Sequence, residues 1–556
     1  MNFDVLRKAP FALGEAEMEW VKTIFSNLSI DEKVAQLFVL RARSNELEEI
    51  EQLARLQPGG ITKPFGTDQD ADLNWIRDYA AVSKIPPLIS ADLEGSRMSL
   101  GFGTQVLNPL GLAALDDLNV TQQTSRILAR EGRAAGVTWS FTPVIDINIA
   151  FRSAIVGTRS FGSDIDKIER HALAQMHAFQ KNGVAATVKH WPGEGYDDRD
   201  QHLVTTINPL SMEEWEKTFG RLYRKAIEGG VMSIMSGHIA LPSYMHMIDP
   251  DCGIEAYRPA SINKVLNIDL LREKLGFNGL IVSDSTSMAG LGSWCSYKQA
   301  MPGVIANGCD VILFSNDPEG DIANVRAAVD DGTISLARLD DAIVRILGLK
   351  AAQGLHKDPV IASPDTIAGA FRNPDNLAIA AQSIARVPTL VKDTQDLLPL
   401  DPEKHKRVLI FTPGIILPFL PDPIPFELPD MLDREGFEVT FHTPDMEVSA
   451  KDFDLVLYLF GEESLLTRSH IFIDWLTMTG FFGTAMKRYW HDIPTLMVSF
   501  GHPYYLYDAP RMPTYINAYS TLGDVQGAVV ECLMGRAEWN RSNPVDPFCG
   551  LGDARY

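Results

Sequence analysis

The stretch AATVKHWPGEGYDDRDQHL, residues 185–203, joins a short apolar run to a loop crowded with ionisable side chains. The run 185–191 is β-prone and ends in Lys189, His190 and Trp191. The next segment of helical period begins near Ser211, so roughly twenty residues separate the two elements. Connections in compact α/β units are usually much shorter, which makes this loop a functional candidate.

Similar apolar runs recur from about residue 34 to residue 350, and segments of helical period lie between most of them. Eight strands that alternate with helices predict an α/β fold with a (β/α)8 TIM-like barrel, and a doubly wound parallel sheet is the alternative. The runs are VAQLFVLRA (34–42), GGITKPF (59–65), PPLISADLEG (86–95), WSFTPVIDIN (139–148), AATVKHW (185–191), VMSIMSGHI (231–239), GLIVSDS (279–285) and CDVILFS (309–315).

Polar residues at the carboxyl ends of different runs favour the barrel. In a parallel barrel these ends converge on one mouth, where side chains from several strands can act together. The residues are Asp92, Glu94, Asp146, Lys189, His190, His238, Asp284 and Ser315.

A second alternating pattern follows and predicts a smaller α/β domain. Its strand-like runs are KRVLIFT (406–412), FEVTFHT (437–443), DLVLYLF (454–460) and TLMVSFG (495–501), with a helical pattern at 528–536. A loop-rich join separates the two patterns. We predict a catalytic barrel domain at 1–355, a linker at 356–373 and a C-terminal domain at 374–556.

The composition limits the partners. The 556-residue chain carries a formal net charge of −22 and has a pI near 5.0. Such a surface repels phosphate backbones and anionic lipids, so we expect neither nucleic acid nor a membrane as partner. Five cysteines without a Cys-x-x-Cys pair argue against disulfides and a cysteine zinc site. Because the N-terminus lacks a secretory signal pattern, we expect a cytoplasmic protein.

Asp200 and His202 stand two residues apart in the long loop. In a turn, this spacing lets the carboxylate orient the imidazole and favour its protonated form, so the pair is a candidate general acid/base. Taken alone, such a pair is more often solvated or caps a turn, and Asp284 at a strand end more often caps the next turn. A metal site of His190, Glu194 and His202 is a further alternative, although the histidine spacing matches no common ligand pattern.

An ordered series of short motifs along the chain resembles glycoside hydrolase family 3, in particular its β-N-acetylglucosaminidase branch. The resemblance extends from about residue 30 to residue 540. In that family the barrel is joined to an α/β sandwich domain. The motifs are DLEG (92–95), RSFGSD (159–164), KHWPGEG (189–195) with DQH (200–202), VMSIMSGHI (231–239), RPAS (258–261), LREKLGFNGLIVSDSTSMAG (271–290), LLPL (397–400), GHPYYL (501–506) and INAYS (516–520).

The resemblance implies roles for individual residues. Asp284 would be the nucleophile, and His202, backed by Asp200, would be the acid/base. Sugar hydroxyls would be held by four residues near the strand ends. These are Asp92, Arg159, Lys189 and His190.

The chain departs from the pattern of that branch in three places. Glu194 stands where relatives usually have a second histidine, Ser285 follows the nucleophile where a second aspartate is usual, and Gln201 replaces the serine inside the Asp-x-His pair. We expect the reaction type to survive these changes. We expect Glu194, however, to alter the charge beside the sugar and hence the substrate.

The leading hypothesis is a retaining exo-β-glycosidase that needs no cofactor and releases terminal N-acetylglucosamine from small carbohydrates such as cell-wall or chitin fragments. One alternative is a β-N-acetylglucosaminide or β-glucoside phosphorylase, because an imidazole acid/base does not repel phosphate as a carboxylate would. A non-catalytic sugar-binding protein is a third hypothesis. Pro192, Gly193 and Gly195 predict a mobile loop that closes on the sugar. The oligomeric state is left open.

Overall fold

The computed structural model describes residues 2–358 and 360–556. Eight parallel strands close into a barrel in the order β1-β10-β9-β7-β5-β4-β3-β2. The strands, in chain order, are β1 Phe38–Arg41, β2 Gly60–Thr62, β3 Leu88–Ala91, β4 Trp139–Ser140, β5 Ala185–Trp191, β6 Thr206–Ile207, β7 Ser233–Ser236, β8 Ile239–Ala240, β9 Leu280–Ser285, β10 Val311–Leu313, β11 Thr389–Asp393, β12 Arg407–Phe411, β13 Glu438–Phe441, β14 Leu455–Phe460, β15 Thr495–Ser499 and β16 Thr514–Asn517.

A second, six-stranded sheet follows the barrel, with the order β11-β16-β15-β14-β12-β13. Its strands are parallel except for β11, which pairs antiparallel with β16. β6 and β8 form a separate two-stranded ribbon that follows the carboxyl ends of β5 and β7. This ribbon ties the later part of the long loop to the segment after β7, because β6 lies within the loop.

Helices alternate with the strands in both parts of the chain. The α-helices are α1 Glu15–Asn27, α2 Ile30–Gln36, α3 Leu47–Leu56, α4 Gln69–Val82, α5 Pro109–Leu115, α6 Leu118–Ala134, α7 Ile165–Lys181, α8 Met212–Lys217, α9 Phe219–Glu228, α10 Pro242–Ile248, α11 Ala289–Gly292, α12 Tyr297–Ala306, α13 Pro318–Asp330, α14 Leu336–Ala352, α15 Pro364–Ile367, α16 Pro374–Ile384, α17 Leu428–Arg434, α18 Trp475–Thr479, α19 Phe482–Ala485 and α20 Gly523–Leu533. A π-helix spans Val265–Lys274.

Local sequence explains where the key elements begin. Ser211 accepts a hydrogen bond from the backbone N–H of Glu214, whose side chain reciprocates, so the predicted capping box starts α8. All seven residues of β5 are buried, as expected for a barrel strand covered on both faces. Together, β5 and α8 set the two ends between which the long loop must run.

The predicted fold class is confirmed, including the barrel and the smaller α/β domain. The run 34–42 differs in part, since α2 extends to Gln36 before β1 starts. β11, at one edge of the six-stranded sheet, and β16, beside it, were not among the predicted strands. The boundaries at 355 and 373 stay predictions, and Pro359 of the predicted linker lies outside the described residues.

Within the described residues, 2–358 and 360–556, no helix combines the length and the apolar character needed to cross a lipid bilayer.

Candidate active site

The predicted residues meet at the carboxyl end of the barrel. β3 ends just before Asp92, β5 contains Lys189 and His190 near its end, and Asp284 is the penultimate residue of β9. The loop after β5 brings His202 close enough to Asp284 for its charge to act on that carboxyl. The barrel topology thus gathers residues that lie far apart in the sequence.

Asp284 is nearly enclosed, with 13% of its side chain exposed. Its Oδ1 accepts a 2.7 Å hydrogen bond from the N–H of Ser285, and its Oδ2 lies 3.9 Å from Nε2 of His190. Burial alone would raise the pKa of Asp284, but the electrostatic effect of the neighbouring histidines, with His190 the strongest, lowers the pKa below its usual value. The carboxyl is therefore ionised at neutral pH.

The Asp200–His202 pair forms the predicted contact. Oδ1 of Asp200 lies 2.7 Å from Nδ1 of His202 and also accepts its backbone N–H at 2.8 Å. Oδ2 accepts a 2.9 Å hydrogen bond from the N–H of Thr467, which belongs to the second domain. A carboxylate at Nδ1 makes that nitrogen the donor and leaves Nε2 to exchange a proton. The His202 side chain is 23% exposed, so the ring is open to the barrel mouth.

Glu94 organises the positive charges of the site. Its carboxylate accepts two hydrogen bonds from Arg159, at 3.0 and 2.9 Å, and lies 2.8 Å from Nζ of Lys189. Lys189 also donates to Asp92 at 2.8 Å. Burial would raise the pKa of Glu94, but Arg159 and Lys189 lower it to about 2. Arg159 and Lys189 are thus held in fixed positions beside Asp92, whose side chain is 37% exposed.

His238 follows β7 and supports the strand that carries Asp284. Its Nε2 donates to the carbonyl oxygen of Ser285 at 2.9 Å, and its Nδ1 lies 2.8 Å from Oγ of Ser261. Burial lowers the pKa of His238, so the ring is neutral at neutral pH. A neutral ring has one donor and one acceptor nitrogen. Here Nε2 donates to the carbonyl oxygen of Ser285, and Nδ1 accepts from the hydroxyl of Ser261.

Asp146, His190 and Glu194 form a buried cluster whose potential ligand atoms lie within 4.8 Å of one another. Asp146 accepts hydrogen bonds from the N–H of His190 (3.1 Å), from its Nδ1 (2.6 Å) and from the N–H of Glu194 (2.9 Å). Glu194 accepts a hydrogen bond from Gln201. Because these oxygens already have protein donors, the cluster is explained as a hydrogen-bonded scaffold for His190. The metal trio considered from sequence included His202, which this cluster does not.

Several neighbours of the site were assigned no role from the sequence. Glu94, Asp146 and His238 were noted only as polar residues at the carboxyl ends of strands. Gln201 and Thr467 carried no such signal, because their partners are set by the folded loop. Each of the seven predicted residues lies at this end of the barrel; their roles stay predictions.

A cavity of about 510 Å³ lies beside the loop. Its wall includes Tyr196 and Arg199 of the loop, Phe151 and Arg152 of the segment after β4, and Tyr507 of the second domain. Arg152 pairs with Asp508 of the second domain at 2.8 Å. One part of the loop that lines this cavity, residues 196–199, directly precedes Asp200 and His202.

Comparison with known proteins gives a family match. Residues 29–349 match the model of the glycosyl hydrolase family 3 N-terminal domain. A "Beta-N-acetylglucosaminidase/beta-glucosidase" of Cellulomonas fimi is 37% identical over 573 residues, covering 99% of both chains. A "Beta-hexosaminidase" of Methylobacillus flagellatus is 30% identical over 292 residues, which covers 50% of this chain and 79% of that protein.

Solved structures of similar fold extend over both domains. "Beta-glucoside phosphorylase BglX" superposes with a TM-score of 0.91 at 32% identity, covering 100% of both chains. A family 3 β-N-acetylglucosaminidase from Paenibacillus sp. has a TM-score of 0.78 at 21% identity, covering 94% of this chain and 100% of that one. At the lower identity the likeness concerns the fold alone.

Proposed function

The chain belongs to glycosyl hydrolase family 3, and from this premise we propose that it is a retaining exo-β-glycosidase acting on a small carbohydrate. One observation carries the proposal: the ionised Asp284 and the hydrogen-bonded Asp200–His202 pair meet in one barrel mouth. Retaining hydrolysis needs a carboxylate nucleophile and a second group that first gives and later takes a proton. The mouth supplies both groups.

In the proposed first step, an oxygen of Asp284 bonds to the anomeric carbon while the bond to the leaving oxygen breaks. His202 gives its Nε2 proton to that oxygen, and a glycosyl ester on Asp284 remains. In the second step His202 takes a proton from water, the oxygen of water bonds to the anomeric carbon, and Asp284 leaves as carboxylate. Asp200 orients the ring and stabilises its charged form.

We propose that Asp92, Arg159, Lys189 and His190 hold the sugar hydroxyls. The contacts of Glu94 with Arg159 and Lys189 support this proposal, since they fix both cations before the sugar arrives. Hydrogen bonds from charged donors contribute about 1.5–3 kcal/mol each, more than neutral ones. Their fixed directions favour one ring orientation.

The proposed substrate is a terminal β-linked N-acetylglucosamine. Support comes from the name of the Cellulomonas fimi relative, which is similar over the whole chain, and from the β-hexosaminidase similar over half of it. The first name also includes β-glucosides, so the substituent at C2 is the feature to test.

Phosphorolysis is the second candidate, and a specific observation favours it. The structure with a TM-score of 0.91 is named a β-glucoside phosphorylase. Phosphate would replace water in the second step, and an imidazole at His202 repels it less than a carboxylate would. Both candidates share the same glycosyl ester on Asp284.

One experiment separates these candidates. Nitrophenyl β-glycosides that differ at C2 and C4 are assayed in phosphate and in a non-nucleophilic buffer, and the released sugar is analysed. Free N-acetylglucosamine in both buffers supports the hydrolase. A sugar 1-phosphate that forms only in phosphate supports the phosphorylase, and turnover of glucosides or xylosides alone rejects the proposed substrate. Asp284→Ala serves as the inactive control.

We also propose that the protein works in the cytoplasm. All five of its cysteines are free thiols, as is usual where disulfides are kept reduced. Fractionation of the native host with an antibody against the chain would test this location.

A further inference from the structure

Two of the residues that depart from the family pattern contact each other. Nε2 of Gln201 donates a 2.9 Å hydrogen bond to Oε2 of Glu194, and both side chains are buried. Oε1 of Gln201 accepts a 2.9 Å hydrogen bond from the N–H of His238. Gln201 thus connects the beginning of the long loop with the residue after β7.

Glu194 is itself fixed to the barrel. Its N–H donates to Asp146 at 2.9 Å, and its carbonyl oxygen accepts the N–H of Ile147 at 3.1 Å. The amide of Gln201 therefore bonds to Glu194 through its nitrogen and to His238 through its oxygen. Both partners are held close to the carboxyl ends of barrel strands. Since Gln201 lies between Asp200 and His202, fixing its side chain also fixes the turn that carries the acid/base pair.

The electrostatic surroundings of Glu194 suit this contact. Burial, together with the carboxylates of Asp146, Asp200 and Asp284, raises the pKa of Glu194 well above its usual value. A neutral carboxyl still accepts a hydrogen bond from an amide and adds no negative charge beside the nucleophile.

We propose that Glu194 and Gln201 are positioning residues that hold the Asp200–His202 turn in its working place before a sugar binds. This inference rests on the proposed role of His202 as acid/base. It differs from the expectation that the loop is mobile and that Glu194 acts on the sugar. Glu194 acts instead on the loop, through an amide that a serine at position 201 is too short to replace.

Four variants test the pair: Gln201→Ala, Glu194→Ala, the double variant and Glu194→Gln, which retains an acceptor. Gln180→Ala is the matched control, because Gln180 bonds in the same way to Met232 and Gly230 just before β7, at the opposite end of the barrel. The control should leave the measurements below unchanged.

Hydrogen exchange without any sugar measures the loop directly. The N–H groups of His202, Leu203 and Val204 all bond to Asp200 in the folded turn. We expect them to be protected in the wild type and to exchange at least tenfold faster in Gln201→Ala and Glu194→Ala. Free exchange in the wild type overturns the proposal. This measurement needs no turnover, so it stands even if the proposed activity fails.

Kinetics then test the consequence for the acid. A displaced His202 slows the first step on substrates whose leaving group needs a proton. We therefore expect kcat/KM, which reports this step, to fall about 10²-fold on a natural disaccharide and less than about threefold on a nitrophenyl glycoside. The double variant should lose no more than the worse single variant, because the two residues act as one unit. Equal losses on both substrates, or additive losses, overturn the proposal.

Discussion

At the residue scale, the proposed nucleophile Asp284 and the proposed acid/base His202 should respond differently to removal. Asp284→Ala blocks formation of the glycosyl ester, so turnover should fall by many powers of ten for every leaving group. His202→Ala should keep much more of its glycosylation rate on a nitrophenyl glycoside than on a natural disaccharide, because nitrophenolate leaves without a proton. Its second step should slow, and added azide, which needs no base, should restore turnover and give a β-glycosyl azide. Steady-state rates and product analysis check this. Equal losses without rescue would place the acid elsewhere, with Glu194 the first residue to test.

A second residue-scale prediction concerns Glu94. Glu94→Ala leaves the buried Arg159 without its carboxylate and Lys189 with Asp92 alone, which should lower the free energy of unfolding by about 3–5 kcal/mol. Because the folded pKa is lowered to about 2, this carboxylate stabilises the fold above its unfolded pKa, and the contribution disappears as pH falls toward 2. Urea unfolding at pH 7 and pH 3 measures both effects. Asp92→Ala removes a half-exposed partner of Lys189, so it should lower the free energy of unfolding much less than Glu94→Ala does.

Residue types at strand ends made much of this site predictable. Asp284, Lys189 and His190 each end a recognisable β-prone run, so the barrel topology alone brings them together. The hydrogen bond between Glu194 and Gln201 was not predictable, because it depends on how the loop folds back on itself. Their departures from the family pattern looked like two independent changes until the contact was visible.

At the element scale, the long loop depends on glycines that no other residue can replace. Gly195 has a φ of +113°, and a Cβ there would lie 1.9 Å from the carbonyl oxygen of Ile147. Gly195→Ala should therefore shift this segment, lowering the thermal midpoint and the activity on a natural disaccharide. Gly527→Ala, in α20 with no atom near the new Cβ, should be neutral or stabilising by up to about 1 kcal/mol. Equal behaviour of the two variants would contradict this description of the loop.

Element type was easier to predict than element extent. The run 139–148 forms a continuous ladder with β3 and β5 over Trp139–Ser140, and beyond these two residues a single bridge joins Val144 to Lys189 of β5. β11 and β16 were missed because each has only four or five residues, which carry little periodic signal of their own. The extents of β11 and β16 depend on the strands with which they pair rather than on their own sequences.

At the scale of the whole molecule, the second domain contacts the Asp200–His202 pair. Thr467 donates its N–H to Asp200, and Leu465 donates its N–H to the carbonyl oxygen of Ala154 in the segment after β4. Glu463, just before them, accepts hydrogen bonds from Ser96 (2.8 Å) and Asn108 (3.0 Å) of the barrel. No sequence pattern predicted this contribution, because it joins residues more than 250 positions apart.

Glu463→Gln tests whether these contacts support the acid/base pair, with Glu462→Gln as the matched control. Glu463 is buried against the barrel, and an amide there would place a donor group against Asn108 or Ser96, at a cost of about 1–3 kcal/mol. The segment carrying Thr467 should then loosen. The turnover rate of the variant should fall roughly tenfold more on the natural disaccharide than on the nitrophenyl glycoside. Glu462 accepts a hydrogen bond from Tyr505 within its own domain, and burial raises its pKa to about 7, so a neutral amide should leave the ratio of the two substrates unchanged. If both variants change this ratio equally, the second domain stabilises the chain without positioning Asp200.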